Sequence, residues 1–115
     1  MERLRFEIVK GIKTPDPVSD KYMLLSYFIS DHQYPDDIQK SIDELKTVQS
    51  GYRTFEEVFT DKYGTIPIGV TAGEFECDKN TAYLISNNPG REPNIEMPLQ
   101  ELIDLLAQWE AFLRN

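Results

Sequence analysis

The sequence predicts a single α+β domain over residues 1–115, with a mostly antiparallel sheet of about five strands, a central helix and a C-terminal amphipathic helix packed on the sheet. Three observations carry this expectation. Apolar and polar residues alternate near the start of the chain and again between Thr65 and Ser86. Apolar residues recur every three or four positions between Asp36 and Gln49, and again after Pro98. Turn chemistry between the candidate strands is local, which favours hairpin connections. At 115 residues the chain is near the commonest size for one domain and has little room for a second core.

Taken in order, Leu4, Phe6 and Ile8 alternate with Arg5, Glu7 and Val9, the period of a strand with one buried face. Gly11 to Asp20 holds two prolines, two aspartates, a serine and a threonine, so a loop is expected. Lys21 to Ser30 is apolar on both faces of an extended chain, which predicts a central strand. Asp36-Asp37 then open a helix over about 36–49, where Ile38, Ile42 and Leu45 keep helical spacing and the acids complement the positive end of the dipole. Thr54 and Glu57 are spaced as a capping box, predicting a short helical turn that ends near Tyr63-Gly64.

Ile66, Ile68 and Val70 alternate, and Phe75 and Cys77 alternate with Glu74, Glu76 and Asp78, predicting antiparallel strands with one wet, acidic face. Pro67 donates no ladder bond, so its strand starts there, bulges or lies on an edge. Asp78-Lys79-Asn80 leads into a last strand, Thr81 to Ser86, followed by turn residues Asn87-Asn88-Pro89-Gly90. Pro98 stands where a first helical residue belongs, with Leu99, Leu102, Ile103, Leu106, Trp109 and Leu113 behind it. Leu105 and Phe112 widen that stripe, and Trp109 is expected to be a core anchor.

With 40% hydrophobic and 28% charged residues, the chain has enough apolar surface to fold. Charges interrupt the first ten residues before a signal-peptide core can form, and the apolar run Tyr22–Ile29 is far short of the roughly 20 residues that cross a bilayer as a helix. One cysteine permits no internal disulfide, and one thiol with one histidine builds no cysteine-rich zinc site; a reducing cytoplasm is the expected location. The net charge of −8 disfavours nucleic-acid backbones and anionic membranes and favours a basic partner, or serves solubility alone.

Catalytic options are few. His32 is the only imidazole, and no nucleophile elbow accompanies an Asp31–His32 pair. Asp31, His32, Asp36 and Asp37 match no recognised zinc or calcium spacing, so turn and capping roles are expected and no metal. Gly69, Gly73 and Gly90 are too scattered for a phosphate loop, and no cofactor is expected. Cys77 reads as a strand residue, not a nucleophile.

Acid is concentrated between Asp31 and Asp61, where Asp31, Asp36, Asp37, Asp43, Glu44, Glu56, Glu57 and Asp61 face only Lys40, Lys46 and Arg53. Tyr34, Tyr52 and Phe55 lie among them, and aromatics ringed by polar groups anchor interfaces. The candidate partner-binding residues are therefore Tyr34, Asp36, Asp37, Asp43, Glu44, Tyr52, Glu56, Glu57 and Asp61, joined by the Glu74-Glu76-Asp78 face. The bland reading is that these acids cap helices and solvate one side.

The initial Leu4-Arg5-Phe6-Glu7-Ile8 strand, the acidic Phe55-Glu56-Glu57-Val58-Phe59 turn with Asp61-Lys62-Tyr63-Gly64, and the closing Met97-Pro98-Leu99 to Trp109-Phe112-Leu113 helix resemble small bacterial immunity proteins of polymorphic-toxin and contact-dependent growth-inhibition systems. The resemblance implies a non-enzymatic cytoplasmic protein that occludes the active site of a cognate toxin, and an acidic surface suits a basic nuclease because it imitates the substrate's charge. It transfers no individual residue role. The rival expectation is a regulatory or small-ligand-sensing α+β domain, with a strand edge or the C-terminal helix as the candidate surface for a homodimer; an enzyme working through paired carboxylates is a third.

Overall fold

A computed structural model describes residues 2–59 and 66–115. In chain order the elements are β1 (Leu4–Val9), β2 (Ile12–Pro17), a 3₁₀ turn (Asp20–Tyr22), α1 (Met23–Ser30), α2 (Pro35–Gln49), α3 (Phe55–Phe59), β3 (Ile66–Ile68), β4 (Gly73–Cys77), β5 (Thr81–Ser86), β6 (Ile95–Pro98) and α4 (Leu99–Arg114). The expected α+β class holds, with six antiparallel strands among the described residues, divided into a hairpin, β1-β2, and a four-stranded meander, β3-β4-β5-β6.

The first correction concerns Gly11 to Asp20, expected as a loop and found to carry β2. Lys10 and Gly11, with φ of 52° and 79°, make a two-residue turn that sets Val9 opposite Ile12. Positive φ at both turn positions gives the twist a tight hairpin needs, and the second falls on a residue without a Cβ. Arg3 accepts a bond from the Val18 amide at 3.1 Å, so the ladder alternates from there, and Pro15 and Pro17 direct their missing donors away from β1. Prolines at every second position therefore break no ladder bond.

The second correction is Lys21 to Ser30, expected as a central strand and found as a 3₁₀ turn leading into α1. Every residue of α1 is buried or half-buried, so it shows no polar stripe, and an all-apolar run fits a buried helix as well as a buried strand. The Ser26 hydroxyl donates to the Pro15 carbonyl at 2.5 Å, fastening α1 to the outer edge of β2.

α2 forms as expected, with Pro35 and the acids Asp36 and Asp37 in its first turn and Ile38, Ile42, Leu45 and Val48 buried. The capping box is present: the Thr54 amide donates to Glu57 Oε1 at 2.9 Å and the Glu57 amide to Thr54 Oγ1 at 3.2 Å. The expected end of that turn at Tyr63-Gly64 lies outside the described residues, as does Thr65.

In the meander one face is buried. Ile68, Gly73, Phe75, Cys77, Ala82, Leu84, Ser86, Ile95 and Met97 point inward, under α1 and α4. Pro67, Glu74, Glu76, Tyr83, Ile85 and Glu96 point outward. β3 is an edge strand, which accommodates Pro67. Val70, expected to continue the alternation, lies instead in the exposed β3–β4 turn. Thr81–Ser86 is not the last strand: β6 follows it, a four-residue piece in which Ile95 and Met97 are buried and Glu96 exposed. Gly73 passes so close to the Ile85 carbonyl that a Cβ would overlap it, so this close approach of β4 to β5 requires glycine.

α4 begins directly after Pro98 and buries Leu99, Leu102, Ile103, Leu106 and Trp109, packing on β5, β6 and α2. Trp109 is the anchor expected, 2% exposed, with its indole N–H donating to the His32 carbonyl at 2.7 Å. Lys13 closes the far end of α4, its ammonium donating to the Phe112 and Leu113 carbonyls at 2.9 and 3.1 Å, where a cation also meets the negative end of the dipole.

Replacing Trp109 with Phe should keep most of the packing but leave the His32 carbonyl without its donor. We expect a loss of about 1–3 kcal/mol in urea unfolding, with Trp109→Ala costing about 3–5 kcal/mol.

Candidate functional site

Asp31 and His32, considered above as a catalytic pair or metal ligands, sit at the C-terminal end of α1, where both make contacts to other parts of the fold. The Asp31 carboxylate accepts the Gly69 amide at 2.8 Å, tying this end of α1 to the β3–β4 turn. His32 Nδ1 is 2.9 Å from the Phe28 carbonyl, the ring packs on Phe28 at 4.9 Å, and the His32 carbonyl receives Trp109. Burial holds its imidazole below the ordinary value, against the opposing pull of the Phe28 carbonyl and the Asp31 charge. Among the described residues no three His, Cys, Asp or Glu side chains gather as metal ligands.

Cys77 is buried in β4, where desolvation first, then the charges of Asp78, Glu56 and Glu76, push its thiol up to about 12. A thiol so placed stays protonated and unreactive at neutral pH. Phe55 of α3 meets Phe75 of β4 with ring centroids 6.0 Å apart, which brings α3 against the inner face of the meander.

The expected partner-binding residues divide into two groups. Asp36, Asp43, Glu44 and Tyr52 come together along the solvent side of α2, in an open groove of about 670 Å³ completed by Val58 and by Lys40, Arg53 and Arg114. Three bases stand among three acids there, and Arg114 bonds Asp36 at 3.2 Å. Charge in the groove is thus mixed, although the linear stretch is acidic. Tyr52 is 80% exposed. Tyr34, 67% exposed, and Asp37 flank the start of α2 outside this groove. Glu56 and Glu57 lie on α3, Glu57 held low in pKa by the Thr54 amide and hydroxyl. Asp61 lies outside the described residues.

A more uniform acidic surface forms on the outer face of the meander. Tyr83 stands directly between Glu76 on β4 and Glu96 on β6, and Glu74 faces Ile85 one row away. Asp78 accepts the Asn80 and Thr81 amides at 2.8 Å each, which hold its carboxyl low, and the Tyr83 hydroxyl at 3.2 Å. Desolvation first, then Asp78, raises the Tyr83 phenol. None of Glu74, Glu76, Asp78 and Glu96 is ion-paired with a described base. Glu96 and Tyr83 were not singled out from sequence; the signal was the Ile95-Glu96-Met97 alternation, too short to read without its neighbour.

No helix among the described residues is long and apolar enough to cross a membrane. Comparison with protein-family profiles, with characterised proteins and with solved structures finds no match for the chain.

Two outcomes follow from the titrating groups. A thiol reagent at pH 8 should label native Cys77 at least a hundredfold more slowly than the urea-unfolded chain, because desolvation keeps the thiolate scarce. For His32 the folded-state pKa lies below the ordinary 6.5, so on acidification the unfolded chain takes up the proton first. Its share of stability is complete above pH 6.5 and is lost as the pH falls through the lower folded value; His32→Asn should flatten that part of a stability-against-pH curve.

Proposed function

We propose that this chain is a binding protein that inhibits a basic protein partner by covering it with an acidic surface, as the resemblance to toxin-neutralising immunity proteins implies. The observation that carries the reading is the outer sheet face, where Glu74, Glu76, Asp78 and Glu96 surround Tyr83 with no described base paired to them. Carboxylates on a sheet face with no described base paired to them are already arranged for a cationic surface and need break no described ion pair to meet it. A tyrosine at their centre supplies rigid contact area of the kind that anchors interfaces.

In this reading the α2 groove with Tyr52 is an accessory contact, because its bases offset its acids. The cognate partner is a toxin domain with a cationic active site, a nuclease fitting best, and the inhibitor acts in the cytoplasm without cofactor or chemistry.

Mixing the protein with the toxin domain encoded beside it should give a tight complex whose association rate falls as salt rises from 50 to 500 mM. Glu76→Lys and Glu96→Lys should each weaken it at least about tenfold without altering the far-UV spectrum. Association indifferent to salt, or to both reversals, would refute docking through this face.

A further inference from the structure

The two edges of the β1-β2 hairpin are treated differently. On β2 the groups aimed outward belong to Lys13, Pro15 and Pro17; two of these have no N–H, and the Pro15 carbonyl is taken by Ser26. That edge is closed to a further strand. On β1 the bonded partners of β2 are Arg3, Arg5, Glu7 and Val9, so the amides and carbonyls of Leu4, Phe6 and Ile8 point outward. No described group bonds to them. The edge carries no proline and no bulge, and Ile8 beside it is 64% exposed.

We propose that β1 pairs with β1 of a second copy of this chain, antiparallel across a two-fold axis through Phe6. The sequence Leu4-Arg5-Phe6-Glu7-Ile8 is complementary to itself in that register. Phe6 meets Phe6, Leu4 meets Ile8, and Arg5 meets Glu7 on both sides of the axis, while all the outward amides and carbonyls of Leu4, Phe6 and Ile8 fall in bonded pairs. The neighbouring registers that use the same outward groups centre on Arg5 or on Glu7, and set like charges directly opposite each other. Charge therefore selects one register of the three.

At the start of β1 an open depression is available to the added strand, lined by Glu2, Arg3 and Leu4 and, from α4, by Glu101, Asp104, Leu105 and Gln108. Opposed residues of a bonded pair share a face, so Ile8 of the second copy enters this depression above Leu4 and the half-buried Leu105. The exposed Ile8 side chains are covered twice over by the same symmetry, as an isologous contact requires. The Arg5–Glu2 contact at 3.3 Å is exposed and yields readily to the intermolecular pair.

Sedimentation velocity across a concentration series tests the assignment. The protein should form a dimer that dissociates on dilution. Arg5→Glu and Glu7→Arg should each weaken it at least about tenfold, since each turns two attractive cross-strand pairs into repulsive ones. An equimolar mixture of the two variants should recover a dimer containing one of each, because Glu at position 5 then faces Arg at position 7 and the native pair is kept on the other side. Recovery in the mixture also shows that both variants are folded. A monomer at every concentration, a dimer indifferent to both reversals, or a mixture that fails to recover would each overturn the proposal.

Discussion

The indole of Trp109 joins the parts of this molecule that otherwise have least reason to stay together. Its N–H satisfies the His32 carbonyl at the exit of α1, and its ring meets Phe6 of β1 edge-on at 5.2 Å and Phe112 at 5.8 Å. One side chain of α4 thereby holds the end of the first helix and the underside of a two-stranded hairpin. A lone hairpin is at best marginally stable in water, so β1-β2 depends on this support. Lys13 reinforces it by closing the C-terminal end of α4, and Arg3 by bonding Glu101 at 2.9 Å near its start.

The meander depends on the same helix in a different way. α4 and α1 cover one face of the sheet, and Phe75 is packed there between Phe28 and Phe55 at ring distances of 4.7 and 6.0 Å. Because a strand's side chains alternate, burying one face commits the other to solvent. Glu74, Glu76, Tyr83 and Glu96 are thus gathered on one surface as a direct consequence of how the core is made. The chain's excess of acid becomes, on this face, a patterned surface without any residue being added for the purpose.

Where the reading of the sequence failed, it failed for identifiable reasons. α1 has apolar or half-buried residues all round, and without a polar stripe neither period stands out. β2 was hidden by Pro15 and Pro17, whose effect on a strand depends on which way their nitrogens face, and that is decided by the register set at Lys10-Gly11. β6 is four residues long and becomes visible only beside β5. The acidic stretch from Asp31 onward contains the acids foreseen, but Arg114, arriving from the far end of the chain, neutralises part of the groove they line.

The sequence by itself determined the local features: the stripe of α4 with Trp109 inside, the dipole-matched start of α2, and the capping box of Thr54 and Glu57. Each depends on residues within a few positions of one another, where spacing alone specifies geometry. The tertiary structure decided what depends on distant partners: that Lys21–Ser30 is helical, that the prolines of β2 face outward, and which acids stand without a base among the described residues. Burial and charge pairing are properties of neighbours in space, and for those the linear order carries no distance.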